Sequence, residues 1–113
     1  MKRDVAVVLQ DILDAIALIE KAAAGHDLAS LSADRFLQLG IERLLEIISE
    51  AVRHLPHDIL ASRPDIAWPG IRAIGNLMRH EYWRIDPDIV WTVVSDDLPA
   101  LRNAIEGFLP RPA

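Results

Sequence analysis

The stretch ADRFLQLGIERLLEIISEAVRHL, residues 33–55, repeats apolar side chains at Leu37, Ile41, Leu44, Leu45, Ile48, Val52 and Leu55. Steps of three and four bring these residues onto one side of an α-helix, whereas a half-buried strand would need strict alternation. Ser32 precedes the run with a side-chain oxygen suited to cap a first-turn amide, and Pro56 follows it as a stop. Gly40 interrupts the period at a cost of about 1 kcal/mol relative to Ala, which close packing of another helix would offset.

Working outward, residues 4–24 place Val5, Val8, Leu9, Ile12, Ile16 and Ile19 on a second apolar stripe, with Asp11, Asp14, Glu20 and Lys21 on other faces. Gly25 and His26 suit its C-terminus, where Gly takes left-handed geometry and His favours the negative end of the helix dipole. Residues 27–31, DLASL, read as a short link. Downstream, residues 57–67 read as a connection broken by Pro64. A third helix starts at Trp68-Pro69, since Pro is well suited to a first turn, and its apolar side carries Ile71, Ile74, Leu77 and Met78. A fourth helical region begins at Asp86-Pro87, runs through Ile89, Val90, Val93 and Val94, bends before Pro99 and ends near Gly107. Each stripe must find another, so the expected fold is all-α: a compact bundle of four to five helices forming one domain over residues 1–113. Several broad stripes in so short a chain also suggest a dimer.

Composition narrows the functional classes. The chain has 113 residues, 51% of them hydrophobic and 26% charged, a globular profile sufficient for one core. The absence of Cys excludes disulfides, thiolate nucleophiles and sulfur-ligated metals, and fits an intracellular, cytoplasmic location. Asp4, Asp11 and Asp14 interrupt the N-terminal region before a signal-like apolar run develops, and no uncharged apolar run is long enough to span a membrane. A net charge of −5 argues against general nucleic-acid binding, which relies on cationic neutralisation of phosphates, but leaves room for a local basic patch.

Such a patch occurs in GNLMRHEYWRID, residues 75–86. On a helix Asn76 and His80 are one turn apart, Arg72 extends their row, and Arg79 flanks it. Tyr82 turns away on a continuous helix but can fold back if the helix ends near His80. This combination suits metal-independent phosphoryl transfer on RNA. An imidazole can exchange a proton with a ribose 2′-hydroxyl or a leaving 5′-oxygen, and a guanidinium can neutralise the crowded phosphate. Asn76 would orient the imidazole or a phosphate oxygen, and Tyr82 would donate a hydrogen bond or stack on a base.

Plainer uses compete with these roles. Arg72 and Arg79 also read as solvated helix-face charges, and Asn76 and Tyr82 as ties at a helix end. Trp68, Trp83 and Trp91 read mainly as core or interface residues, with base stacking as a second use for Trp83. His54 and His57 flank Pro56 and make a poor metal pair. Glu46 and Glu50 read as a solvated carboxylate pair, one of which has the alternative of approaching the basic patch. No Gly-rich nucleotide loop is present, and no cofactor or metal is expected.

The chain also resembles the HepT-like proteins of the HEPN superfamily. The resemblance rests on DILDAI, LLEIISEAV, IAWPGIRAIGNLMRHEYWRID and IVWTVVSDDLPALRNAI in that order, covering nearly the whole sequence. The family motif is an Arg followed after four to six residues by His-x-Tyr, and His80 and Tyr82 match its second half. Asn76 matches the polar residue after the motif Arg, while Gly75 occupies that Arg's own position. By resemblance the protein is a homodimeric, HEPN-like endoribonuclease toxin acting on single-stranded RNA. Its implied partner is a nucleotidyltransferase antitoxin of the MNT type, which modifies Tyr82 with AMP. Gly75 implies weakened catalysis, with Arg79 or Arg72 supplying the missing charge. The alternative is a weak or inactive helical dimer that binds the nucleotidyltransferase.

Overall fold

A computed structural model describes residues 4–81 and 85–110, and every described segment of regular structure is helical. Helix α1 (Val5–Ala23) is capped by Asp4, whose carboxylate accepts the Ala6 amide at 2.8 Å. It buries Val8, Leu9, Ile12, Ala15, Ile16 and Ile19, as its periodicity requires. The chain leaves α1 through Gly25, whose φ of 79° fits the expected left-handed turn.

Two short segments differ from the sequence reading. Residues 28–32 form a single-turn helix, α2 (Leu28–Ser32), closed by a capping box between Asp27 and Ser30. Helix α3 (Arg35–Val52) is capped by Asp34, which accepts the Leu37 amide at 2.9 Å. Ser32 is therefore not the cap; its hydroxyl bonds back to the Leu28 carbonyl at the end of α2. A carboxylate in extended backbone directly before the helix reaches the orphan amide, whereas a serine already committed to the preceding turn does not. Likewise, the connection after Pro56 contains the single turn α4 (His57–Ala61).

Helix α3 is central, packed on α1 along one side and on α5 (Trp68–His80) along the other. Trp68 anchors the start of α5. Its buried indole donates to the Leu60 and Arg63 carbonyls at 2.9 and 3.0 Å, and its ring stacks on Phe108. The last helical region opens with α6 (Pro87–Thr92), capped by Asp86. It continues through a π-helical turn at Val93–Asp97 into α7 (Leu98–Phe108). The wide turn lies where a bend was expected, because Pro99 has no amide proton for the regular ladder and its ring crowds the preceding turn. Helix α7 returns along α1, and α6 packs on α2 and α3.

Close helix packing does not account for Gly40. That residue is exposed, and a Cβ built there would meet no atom within 4 Å; nothing within the monomer explains it. Among the described residues, no helix is long and apolar enough to cross a membrane.

Candidate active site at the α3–α5 seam

The seam is built around a serine and a glycine. Buried Ser49, on α3, donates its hydroxyl to the Arg72 carbonyl at 3.0 Å and accepts the Gly75 amide at 3.2 Å. A Cβ on Gly75 would run into the Ser49 hydroxyl and come within 2.8 Å of Ser49 Cβ, closer than real side chains approach. Rotating the hydroxyl would not relieve the second contact. Glycine at 75 is thus the residue that allows α5 to lie this close to α3. It faces the neighbouring helix, so a long cationic side chain there would have to displace α3 first.

One turn beyond Ser49, Arg53 crosses the same seam. Its Nη2 donates to the Arg72 carbonyl at 3.3 Å and to Asn76 Oδ1 at 3.4 Å. Arg79 Nη2 donates to the same Asn76 oxygen at 3.3 Å. Two guanidinium groups from different helices therefore converge on one amide. Their donors assign the oxygen to the cations and leave the Asn76 NH2 as a donor group. Glu50 partly balances the charge, lying 3.9 Å from Arg53 Nε and 3.5 Å from His54 Nε2. Arg79 and His80 also lie in the last turn of α5, where cations favour the negative end of the helix dipole.

The sequence-derived candidates take different places around this point. Asn76 and Arg79 are brought together directly. Arg72 joins through its backbone carbonyl, while its guanidinium Nε is buried and has no hydrogen-bond partner among the described residues. His80 is exposed, and its ring makes no hydrogen bond or ion pair among the described residues. Tyr82 lies outside the described residues, as do Trp83 and Arg84. Glu50, read as part of a solvated pair, reaches the basic group through Arg53, whereas Glu46 pairs with Arg43 at 3.2 Å.

Arg53 was missed by the sequence reading. Its single clue is a four-residue spacing from Ser49, which places both on one row of α3 but does not reveal what that row faces.

Arg79 and His54 also line a groove of about 440 Å³ between α1 and α3. A second cleft, about 300 Å³, lies against Ile71, Ile74 and Leu98 and does not include Asn76, Arg79 or His80. Among the described residues, no group of three or more His, Asp or Glu side chains gathers as a metal site. The seam instead concentrates hydrogen-bond donors and positive charge at an exposed helix end. That arrangement suits a phosphate-bearing ligand, and the exposed His80 follows Arg79 directly in the chain.

The chain is similar to known proteins over nearly its whole length. The chain is 32% identical over 106 residues to a protein of Thermococcus cleftensis named "Probable ribonuclease HepT", covering 94% of this chain and 96% of that one. It is 29% identical over 105 residues to a Methanocaldococcus jannaschii protein named "Putative RNase MJ1380", covering 93% and 96% respectively. No solved structure matches at a significant level. The ribonuclease HepT-like family model matches residues 12–108, and this near-complete match, together with the all-helical fold, shows that the chain belongs to the HepT-like family.

Proposed function

We propose that this protein is a metal-independent endoribonuclease that cuts single-stranded RNA, acting as the toxin of a cytoplasmic toxin–antitoxin pair. The observation that carries this reading is the meeting of Arg53 and Arg79 on Asn76 one turn before exposed His80. In the reaction, a ribose 2′-oxygen attacks the adjacent phosphorus as its proton is removed. The bond to the 5′-oxygen then breaks, and that oxygen takes up a proton, leaving a 2′,3′-cyclic phosphate and a 5′-hydroxyl. His80 serves as the acid or base, with the other proton transfer made by His80 in turn, by water or by Tyr82; Arg79 neutralises the phosphate and Asn76 orients it, with Arg72 in support. The ribonuclease names of the relatives support the same substrate class.

Tyr82 is the proposed site of AMP modification by an MNT-type nucleotidyltransferase, which would block the RNA path and repel its phosphates. A homodimer is supported by the apolar face of α3, where Phe36 and Leu39 are 89% and 47% exposed beside Gly40. Buried Gly75, with no charge at the family Arg position, favours a second reading: an inactive dimer that binds the nucleotidyltransferase.

Cleavage of an end-labelled single-stranded RNA in the presence of a chelator tests the proposal. His80→Ala should lower the rate by about 10²- to 10⁴-fold, the range of a general acid–base contribution. Equal cleavage by the variant rejects the mechanism.

A further inference from the structure

We infer that Arg53, the C-cap residue of α3, is a second phosphate-binding residue of this site and restores the positive charge that Gly75 cannot provide. The inference deepens the ribonuclease reading and rests on it.

Four observations lead there. Gly75 is buried against Ser49 and has no room for a side chain, so the motif position on α5 cannot present a cation to solvent. The close approach that forbids a side chain at 75 also brings the last turn of α3 against α5. Arg53 uses that proximity to reach the backbone of Arg72 and the side chain of Asn76. Arg79 reaches the same Asn76 oxygen from α5.

The pair remains accessible. Arg53 has 38% of its side chain exposed, and its long contact to Glu50 leaves donors available. Each guanidinium has five N–H donors in a planar fork. Arg79 spends Nη2 on the Asn76 amide, and Arg53 spends Nη2 on both the Arg72 carbonyl and Asn76, so neither fork is exhausted. Arg72, the other cation considered from sequence, is less suitable because its Nε is buried rather than presented. A phosphate of single-stranded RNA seated beside Asn76 could thus be gripped from two helices. Arg79 would approach from the His80 side and Arg53 from α3.

A structural tie between helices and a phosphate ligand make different predictions for salt dependence. Binding of a non-cleavable 2′-O-methyl RNA oligomer should be measured across a salt series, alongside cleavage of the corresponding ribo-oligomer. For Arg53→Gln we expect kcat/KM to fall by about 10- to 100-fold, a modest share of the effect of a lost oxyanion donor. The slope of log binding constant against log salt should flatten by about 0.7, the loss of one single-strand phosphate contact. Arg53→Lys, which keeps the charge and loses the fork, should retain the salt slope and recover part of the rate. Thermal melts identify the temperature range in which each variant is folded, and Arg53→Lys provides the comparison if Arg53→Gln is destabilised.

Wild-type cleavage that depends on His80, with an unchanged rate and salt slope in Arg53→Gln, overturns the role of Arg53 and leaves the ribonuclease reading standing. Failure of Arg53→Lys to retain the slope also overturns the role of Arg53. A wild-type protein that neither binds nor cleaves RNA overturns both proposals.

Discussion

Helix α3 carries polar clusters toward both ends, and they are organised in opposite ways. Near its start, buried Gln38 donates to the Leu31 and Ser32 carbonyls at 2.8 and 3.1 Å and accepts from Arg35 at 3.1 Å. Glu42, one turn later, is also buried, with the Arg35 guanidinium 3.6 Å away. Gln38 thus satisfies carbonyls at the C-terminal end of α2, which that short helix cannot pair internally. Toward the other end, Arg53 and Glu50 are exposed, and the hydrogen bonds of Arg53 cross to α5. The first cluster closes on the chain's own backbone and locks α2 to α3. The second also reaches a backbone carbonyl, that of Arg72, but it leaves its guanidinium groups at the surface. The polarity of a helix position therefore says less about its role than where the resulting bonds end.

The largest effect on this contrast should come from the glycine between α3 and α5. Gly75→Arg restores the family's usual residue but collides with Ser49, and should cost about 3 kcal/mol, the upper part of the usual overpacking range. Removing the obstructing side chain in the double variant Ser49→Gly/Gly75→Arg should recover much of the loss. Denaturant unfolding of both single variants and the double variant measures the coupling. Purely additive losses would mean that Ser49 does not exclude a side chain at 75.

A smaller loss is expected at the closed cluster. Gln38→Leu leaves the Leu31 and Ser32 carbonyls without their side-chain donor and should destabilise the fold by about 2 kcal/mol. Cleavage per folded molecule should stay within about twofold of wild type, since the lesion is distant from the α5 end. A large activity loss in fully folded Gln38→Leu would break the separation between the two clusters.

The smallest effect should be at Glu42. Burial raises its carboxyl pKa above the usual glutamate range, and the Arg35 charge opposes that rise. A raised folded-state value means that the folded chain holds the proton more tightly than the unfolded chain. The corresponding stability is present below the unfolded pKa and is lost as pH rises through the folded one. Glu42→Gln removes that loss. Its Tm should exceed wild type by roughly 1–3 °C at about pH 7, with the gap narrowing toward about pH 4. Thermal melts at the two pH values check the sign, and a gap that widens on acidification would refute it.

The architecture was largely readable from local patterns. The stripes of α1, α3 and α5 follow helical spacing, and Asp86-Pro87 starts α6 as its capping chemistry implies. What escaped was short or ambiguous. Residues 28–32 have too few positions to display a period, and Asp34 competes with Ser32 for the same capping role. Asn76 and Arg79 were visible as neighbours because they occupy one helix. Arg53 was hidden because its partners lie at 72 and 76, on a different helix.

Sequence by itself determined that the chain forms amphipathic helices, and that His80, Arg79 and Asn76 share one helix end, because helical periodicity and i,i+3 or i,i+4 neighbours are local properties. Only the tertiary structure decided which helix meets that end and how closely. Ser49 and Gly75 lie far apart along the chain, yet their contact sets the α3–α5 spacing and brings Arg53 to Asn76. No single-helix pattern encodes such a distance, which depends on side-chain volume at the point where two helices meet.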